Sequence, residues 1–396
     1  MEISEIKKQF IMLYGGDESD LRVFSSPGRV NLIGEHIDYC GGCVFPAALT
    51  MKTTIVARKR SDDVIRLKAT DLDIMVKTTV SEMESLKDKL KWGDYQIGVA
   101  AELKAAGYDI CGCDLLYDDT TPHGGGLSSS AAIEVSTALM FATFSNEKNG
   151  IKEPVNMIEM AKLSQKAEHN FIGVNCGIMD QFASAMGKKD HAVYLNCATL
   201  DYEYVPLSLG DCCLVLSNTN KKHSLGSSKY NERRKECAEG FDALKNVIPT
   251  ISCLADISVS EFESNKEVIK NPTTRKRIKH IVYECERVKE SVKALKSGNI
   301  EKFGELMNAS HDSLQYDYEV SCDELDNLAQ NARKLPYVLG SRMTGAGFGG
   351  CTVSIVKTSK IDEFKAVLGE AYLKTFGHEA SFYVSEIGDG GHEILG

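Results

Sequence analysis

Apolar side chains recur at helical spacing near the start of the chain, at Ile3, Ile6, Phe10, Met12 and Leu13, and Gly15, Gly16 and Asp17 end the run. This predicts a helix over 1–14. Alternating, β-branched runs at 21–25, 53–60, 64–69 and 75–80 predict strands. The charged turn Ser61, Asp62, Asp63 predicts that the second and third of these pair as a hairpin. A short alternation from Arg29 to Ile33 puts Val30 and Leu32 on one face and breaks after Gly34. Helical patterns follow from Asp94 to about 103, over an Ala-rich 130–144, and over 155–170. A short helix ends at Gly187 with Asp180 as its predicted N-cap. Further helices are predicted at 230–244, 275–297 and 362–376, and strands at 114–118, 191–196, 211–217, 351–357 and 381–384. The segment between the strands at 191–196 and 211–217 is the expected boundary between two domains, 1–208 and 209–396.

Length supports two domains: 396 residues, 43% hydrophobic and 26% charged, is ordinary for a folded chain with a full core. No apolar run approaches the roughly 20 residues needed to span a bilayer. The amphipathic start, MEISEIKK, does not read as a signal peptide. Thirteen cysteines, an odd number, then point to reduced thiols and a cytoplasmic setting. Cys111 with Cys113 and Cys212 with Cys213 are close pairs, but neither has zinc-finger spacing. The net charge of −10 argues against nucleic acid. It would also repel a nucleotide triphosphate at long range, so binding one requires a metal ion, oriented N–H groups or placed basic residues.

Four stretches carry candidate chemistry. Residues 26–42, SPGRVNLIGEHIDYCGG, place Arg29, Glu35, His36, Asp38 and Tyr39 within eleven positions. Most single charged residues are simply solvated. Together, however, these offer several acceptors and a switchable donor, an inventory suited to a sugar or polyol. In PHGGGLSSSAA (122–132), Gly124, Gly125 and Gly126 let N–H groups converge where a helix begins, which makes an anion site. The stretch is not a Walker loop. Glu168, near the end of its helix, opposes the helix dipole unless a cation is nearby. Gly345, Gly347 and Gly350 match GxGxxG but precede a strand rather than follow one, which weakens a dehydrogenase reading.

PGRVNLIGEHIDYCGG resembles the galactokinase signature of the GHMP small-molecule kinase family. GGGLSSSAA resembles the family's second motif, the 340–351 loop its third, and the likeness runs over nearly the whole chain. The resemblance implies an α+β, two-lobed GHMP kinase fold with the active site between the lobes, and transfer of phosphate from ATP to the C1 hydroxyl of galactose. It implies that Glu35, His36, Asp38, Gly177 and Tyr230 bind the sugar. Asp180, from CGIMDQF, would accept the C1 proton, with Arg29 orienting it. Gly124, Gly125, Gly126, Leu127, Ser128, Ser129 and Ser130 would cradle the phosphates, Trp92 would stack on adenine, and Ser130 and Glu168 would hold Mg2+. The expected partners are galactose and ATP, with no nucleic acid, no membrane, and a monomer. Ile37 and Cys40 stand where Thr and Asn are usual. The HIDYCG form resembles N-acetylgalactosamine kinases and some fungal galactokinases, so N-acetylgalactosamine is the alternative substrate. A catalytically silent galactose sensor is the rival from another class; the complete 127–132 stretch disfavours it.

Overall fold

A computed structural model describes residues 1–395 except 88, 123 and 222–225, and the side chains of 226–228 are also left aside. His123 of the glycine-rich stretch and Lys222, His223, Ser224 and Leu225 ahead of Tyr230 therefore lie outside the described residues. The strands are β1 (Arg22–Asn31), β2 (Cys43–Val44), β3 (Pro46–Lys59), β4 (Val64–Ala69), β5 (Val76–Thr79), β6 (Cys113–Asp119), β7 (His191–Asn196), β8 (Tyr202–Pro206), β9 (Cys212–Asn218), β10 (Val338–Thr344), β11 (Cys351–Lys357), β12 (Ser381–Ser385) and β13 (His392–Glu393). The helices are α1 (Ile3–Tyr14), α2 (Asp94–Ala105), α3 (Ser129–Lys148), α4 (Met157–Ala167), α5 (Met179–Met186), α6 (Gly226–Lys245), α7 (Val259–Asn265), α8 (Pro272–Lys296), α9 (Ile300–Ser313), α10 (Asp323–Arg333) and α11 (Ile361–Phe376).

Three sheets organise them, in the orders β13-β1-β3-β6-β4-β5, β10-β11-β9-β12 and β2-β7-β8. In the first sheet the period of two sorts side chains between faces. Ile55, Leu67 and Leu115 meet α2, α3 and α4 on one face, while Val23, Val56 and Leu116 meet Ile6 and Phe10 of α1 on the other. In the second sheet Val215 and Val356 pack under α10 and α11. The opposite face joins the largest apolar cluster, which runs through both halves of the chain and contains Leu32, Ile33, Val288, Tyr318, Met343 and Ile355. Among the described residues no helix is long and apolar enough to cross a membrane.

The structure departs from the sequence pattern in several places. The predicted β3–β4 hairpin does not form: β6 lies between them, antiparallel to β3 and parallel to β4, and β4 pairs instead with β5. The 21–25 and 29–33 alternations are one strand, β1, whose register shifts between Pro27 and Arg29. The helix predicted over 155–170 ends at Ala167 and widens into a π-helical turn, Glu168–Ile172. Asp180 is not an N-cap but lies in the first turn of α5, whose N-cap is Ile178. β13 returns to the first sheet beside Phe24 and Ser25, so the last residues of the second predicted domain complete the sheet of the first.

Candidate active site

The bulge in β1 is what brings the motifs together. Pro27 offers no N–H, and a Cβ on Gly28 would stand 2.6 Å from the Leu127 carbonyl oxygen. The Arg29 N–H donates to that carbonyl at 3.0 Å. The glycine-rich loop is thus tied to β1 at the residue that carries the arginine. The third motif packs backbone to backbone on the same loop: a Cβ on Gly345 would lie 2.8 Å from the Gly126 carbonyl oxygen. Each motif also holds one non-glycine residue in the left-handed region, His36 (φ 64°), Ser128 (φ 60°) and Phe348 (φ 62°). Such conformations cost of order 1–3 kcal/mol each and persist only where surrounding contacts impose them.

A cavity of about 370 Å³ opens between these loops. Arg29, Glu35, His36, Asp38, Gly177, Asp180 and Tyr230 line it, together with Gly124 through Ser130. Every sequence-derived candidate is there except Trp92 and Glu168. Trp92 packs edge-on to Tyr117, 6.4 Å between ring centres, against the helix-covered core of the first sheet. Glu168 sits just behind the lining, buried, where Cys176 and Gln181 donate to its Oε2.

Asp180 is held from both sides. Arg29 donates Nε to Oδ1 at 2.8 Å and Nη2 to Oδ2 at 2.7 Å, a bidentate fork. The Ser128 hydroxyl also donates to Oδ2. Arg29 uses Nη1 on the Gly126 carbonyl at 2.6 Å, so one buried guanidinium fixes both the carboxylate and the phosphate loop. The first turn of α5 adds the positive end of a helix dipole.

Asp38 faces Gly177 so closely that a Cβ there would stand 1.8 Å from Oδ2. Only glycine leaves this carboxylate its place. Burial, reinforced by the charge of Asp180, pushes Asp38 up to about 7.

His36 is not the switchable donor its sequence position suggests. Burial and the neighbouring His280 hold it down to about 3, so it is neutral at working pH. Its Nε2 lies 3.1 Å from the Ala346 carbonyl, which can only accept, so Nε2 carries the proton. Nδ1 therefore accepts from the Tyr39 hydroxyl at 2.9 Å, and Tyr39 in turn meets the Tyr318 hydroxyl at 2.7 Å. Glu35 accepts the Gly345 N–H at 2.7 Å and lies 3.5 Å from the buried Arg342. The 34–39 loop is thereby fastened to the C-terminal half of the chain. Glu284 continues the fastening, accepting from the Gly34 N–H at 3.0 Å and the Ser310 hydroxyl at 2.6 Å.

Ile37 and Cys40 do not reach the cavity. Both are buried behind the loop, Ile37 against Gly42 and Cys40 beside Cys237. All thirteen cysteines are free thiols.

The sequence reading missed Glu134, Gln181 and Ser128's bond to Asp180. Glu134 lies one helical turn beyond Ser130, so its spacing from a phosphate-loop serine inside an Ala-rich helix was the available signal. It is fully buried, and burial with Glu168 nearby raises it well above the usual carboxylate range.

Comparison with known proteins agrees with this geometry. The family described as galactokinase galactose-binding signature matches residues 8–59. The GHMP kinases N-terminal domain matches 94–188 and the GHMP kinases C-terminal domain 291–374. A mevalonate kinase from Methanococcus jannaschii shares the fold, with a TM-score of 0.65 at 20% identity over 94% of this chain and 99% of that one. Fold and site together are those of a GHMP kinase. A galactokinase from Clostridium tetani is 45% identical over 100% of this chain and 98% of its own length. One from Bacillus subtilis is 44% identical over 99% of each. The crystal structure of Lactococcus lactis galactokinase complexed with galactose superimposes with a TM-score of 0.93, at 42% identity over 99% of this chain and 100% of that one. The chain belongs to the galactokinase family.

Proposed function

We propose that this chain transfers the γ-phosphoryl group of ATP to the C1 hydroxyl of D-galactose. The observation that carries the reading is the Arg29–Asp180 fork, which sets a carboxylate between a polyol-matched loop and a phosphate-matched loop. Glu35, Asp38 and Tyr230 line the sugar side of the cavity, and Gly124 through Ser130 the phosphate side. Asp180 accepts the proton of the attacking hydroxyl and aligns it. Arg29 holds that carboxylate in register through its two hydrogen bonds. Phosphoryl transfer depends mainly on such positioning and electrostatics.

Mg2+ is a hard cation that takes oxygen ligands and shares them with substrate phosphates. The residues fit it: the Ser130 hydroxyl and the Glu168 carboxylate are oxygen donors, and the Oε1 of Glu134, buried behind them, has no partner. Among the described residues no group of three or more His, Cys, Asp or Glu is arranged to hold a metal alone, which suits an ion completed by phosphate oxygens. Bound there, Mg2+ would offset charge on the phosphates.

Purified protein with Mg-ATP should form ADP in the presence of galactose, with galactose 1-phosphate identified by phosphorus NMR. N-acetylgalactosamine, glucose and mevalonate serve as parallel substrates. Preference for the acetylated sugar would overturn the substrate, and sugar binding without turnover would mean a sensor.

Asp38 gives the site a pH dependence. Its ionised form is the better acceptor for a sugar hydroxyl, and it is lost as pH falls through about 7. Galactose affinity, measured without nucleotide, should weaken by up to about tenfold per pH unit below that point. Asp38→Asn should flatten the profile. An unchanged slope in that variant would assign the titration elsewhere.

A further inference from the structure

Behind the phosphate loop, two carboxylates occupy one buried pocket with a single amide between them. Gln181 donates from the same Nε2 to Glu134 Oε2 at 3.0 Å and to Glu168 Oε2 at 2.7 Å. Glu134 and Gln181 are fully buried, and Glu168 nearly so. The three come from separate elements: Glu134 from α3, Glu168 from the π-helical turn, and Gln181 from α5 next to Asp180. Neither carboxylate meets a lysine or arginine among the described residues; the Gln181 amide donates to both, and the Cys176 thiol donates to Glu168 as well. Glu134 Oε1 and Gln181 Oε1 are left without partners. No packing requirement alone calls for two acids here; an apolar trio of this volume would fill the space without desolvating charge.

We propose that Gln181 is a positioning residue for the cation site, with Glu134 as its anchor. The amide spans the two glutamates and fixes the Glu168 carboxylate before any cation arrives. Glu134 fixes the amide's rotation, since an unanchored glutamine could turn its oxygen, rather than its nitrogen, towards Glu168. The placement of Gln181 directly after Asp180 also couples the cation side of the site to the carboxylate that handles the sugar proton. This inference rests on the Mg2+ reading above. It goes beyond that reading in assigning the residues that hold the cation's ligand.

The test compares affinity for a non-hydrolysable ATP analogue with and without Mn2+, by calorimetry, and galactose affinity in metal-free buffer. The readout is the gain in nucleotide affinity that Mn2+ confers. Partners of metal ligands typically matter by about 10–100-fold in metal affinity. Gln181→Met and Glu134→Leu should therefore lose about that much of the Mn2+-dependent gain, with metal-free galactose affinity unchanged. Glu134→Gln keeps an acceptor for the Gln181 N–H and should retain the wild-type gain. A wild-type gain in Gln181→Met overturns the proposal, as does an equal loss of galactose affinity, which would indicate general disruption. No gain from Mn2+ in the wild-type protein would instead remove the cation reading, and this inference with it.

Discussion

Asp180→Asn is expected to lower kcat with galactose by about 10²–10⁴, the range that general-base action contributes, while galactose affinity stays within a few-fold. The substitution keeps the side chain's shape and its ability to accept from Arg29 Nε. It removes the second charged acceptor, now shared by Arg29 Nη2 and the Ser128 hydroxyl. Binding and chemistry should therefore separate, because the residues proposed to hold the sugar, Glu35, Asp38 and Tyr230, line the same cavity independently of Asp180. Steady-state kinetics beside direct galactose binding makes the distinction. Turnover within about tenfold of wild type would remove Asp180 from the reaction, both as base and as alignment group.

The second large effect concerns stability. Glu284→Ala should destabilise the fold by about 3–5 kcal/mol, the cost of breaking a buried ion pair by removing one partner. Burial alone would raise this carboxyl, but Arg287, His280 and Arg342 outweigh it and hold Glu284 down to about 2. Removing it strands the Gly34 N–H, the Ser310 hydroxyl and the Arg287 guanidinium together. The sign with pH follows: a depressed carboxyl contributes stability above its unfolded value near 4.5, lost as pH falls towards 2. The urea midpoint of Glu284→Ala should thus drop sharply at pH 7, and its difference from wild type should shrink in acid. A difference constant from pH 7 to 3 would assign the cost to the cavity rather than to the charge.

Much of the site was legible in the sequence because most of its groups lie in short runs whose glycines mark backbone approach. Arg29, Asp38, Gly177, Asp180 and Tyr230 all reach one cavity. What was not legible depends on partners distant in the chain. Local alternation made strands 53–60 and 64–69 look like a hairpin, yet β6, more than forty residues on, takes the slot between them. The pattern gave His36 as a titrating donor, whereas its state is set by Tyr39, Ala346 and burial. Gln181 went unread because its partners, Glu134 and Glu168, lie on two other elements. Trp92 was read by likeness, and its half-buried indole packs against the core of the first sheet.

The attachment of the 34–39 loop to Gly345, Ala346, Tyr318 and Glu284 bears on how such a site can be redesigned. Gly34, Glu35, His36 and Tyr39 each bond to a residue far along the chain, and Glu35, His36 and Tyr39 also line the cavity. A new sugar preference introduced by exchanging single loop residues would break those distant bonds before it altered recognition. The workable unit of exchange is the loop together with its four C-terminal partners, transplanted as a block.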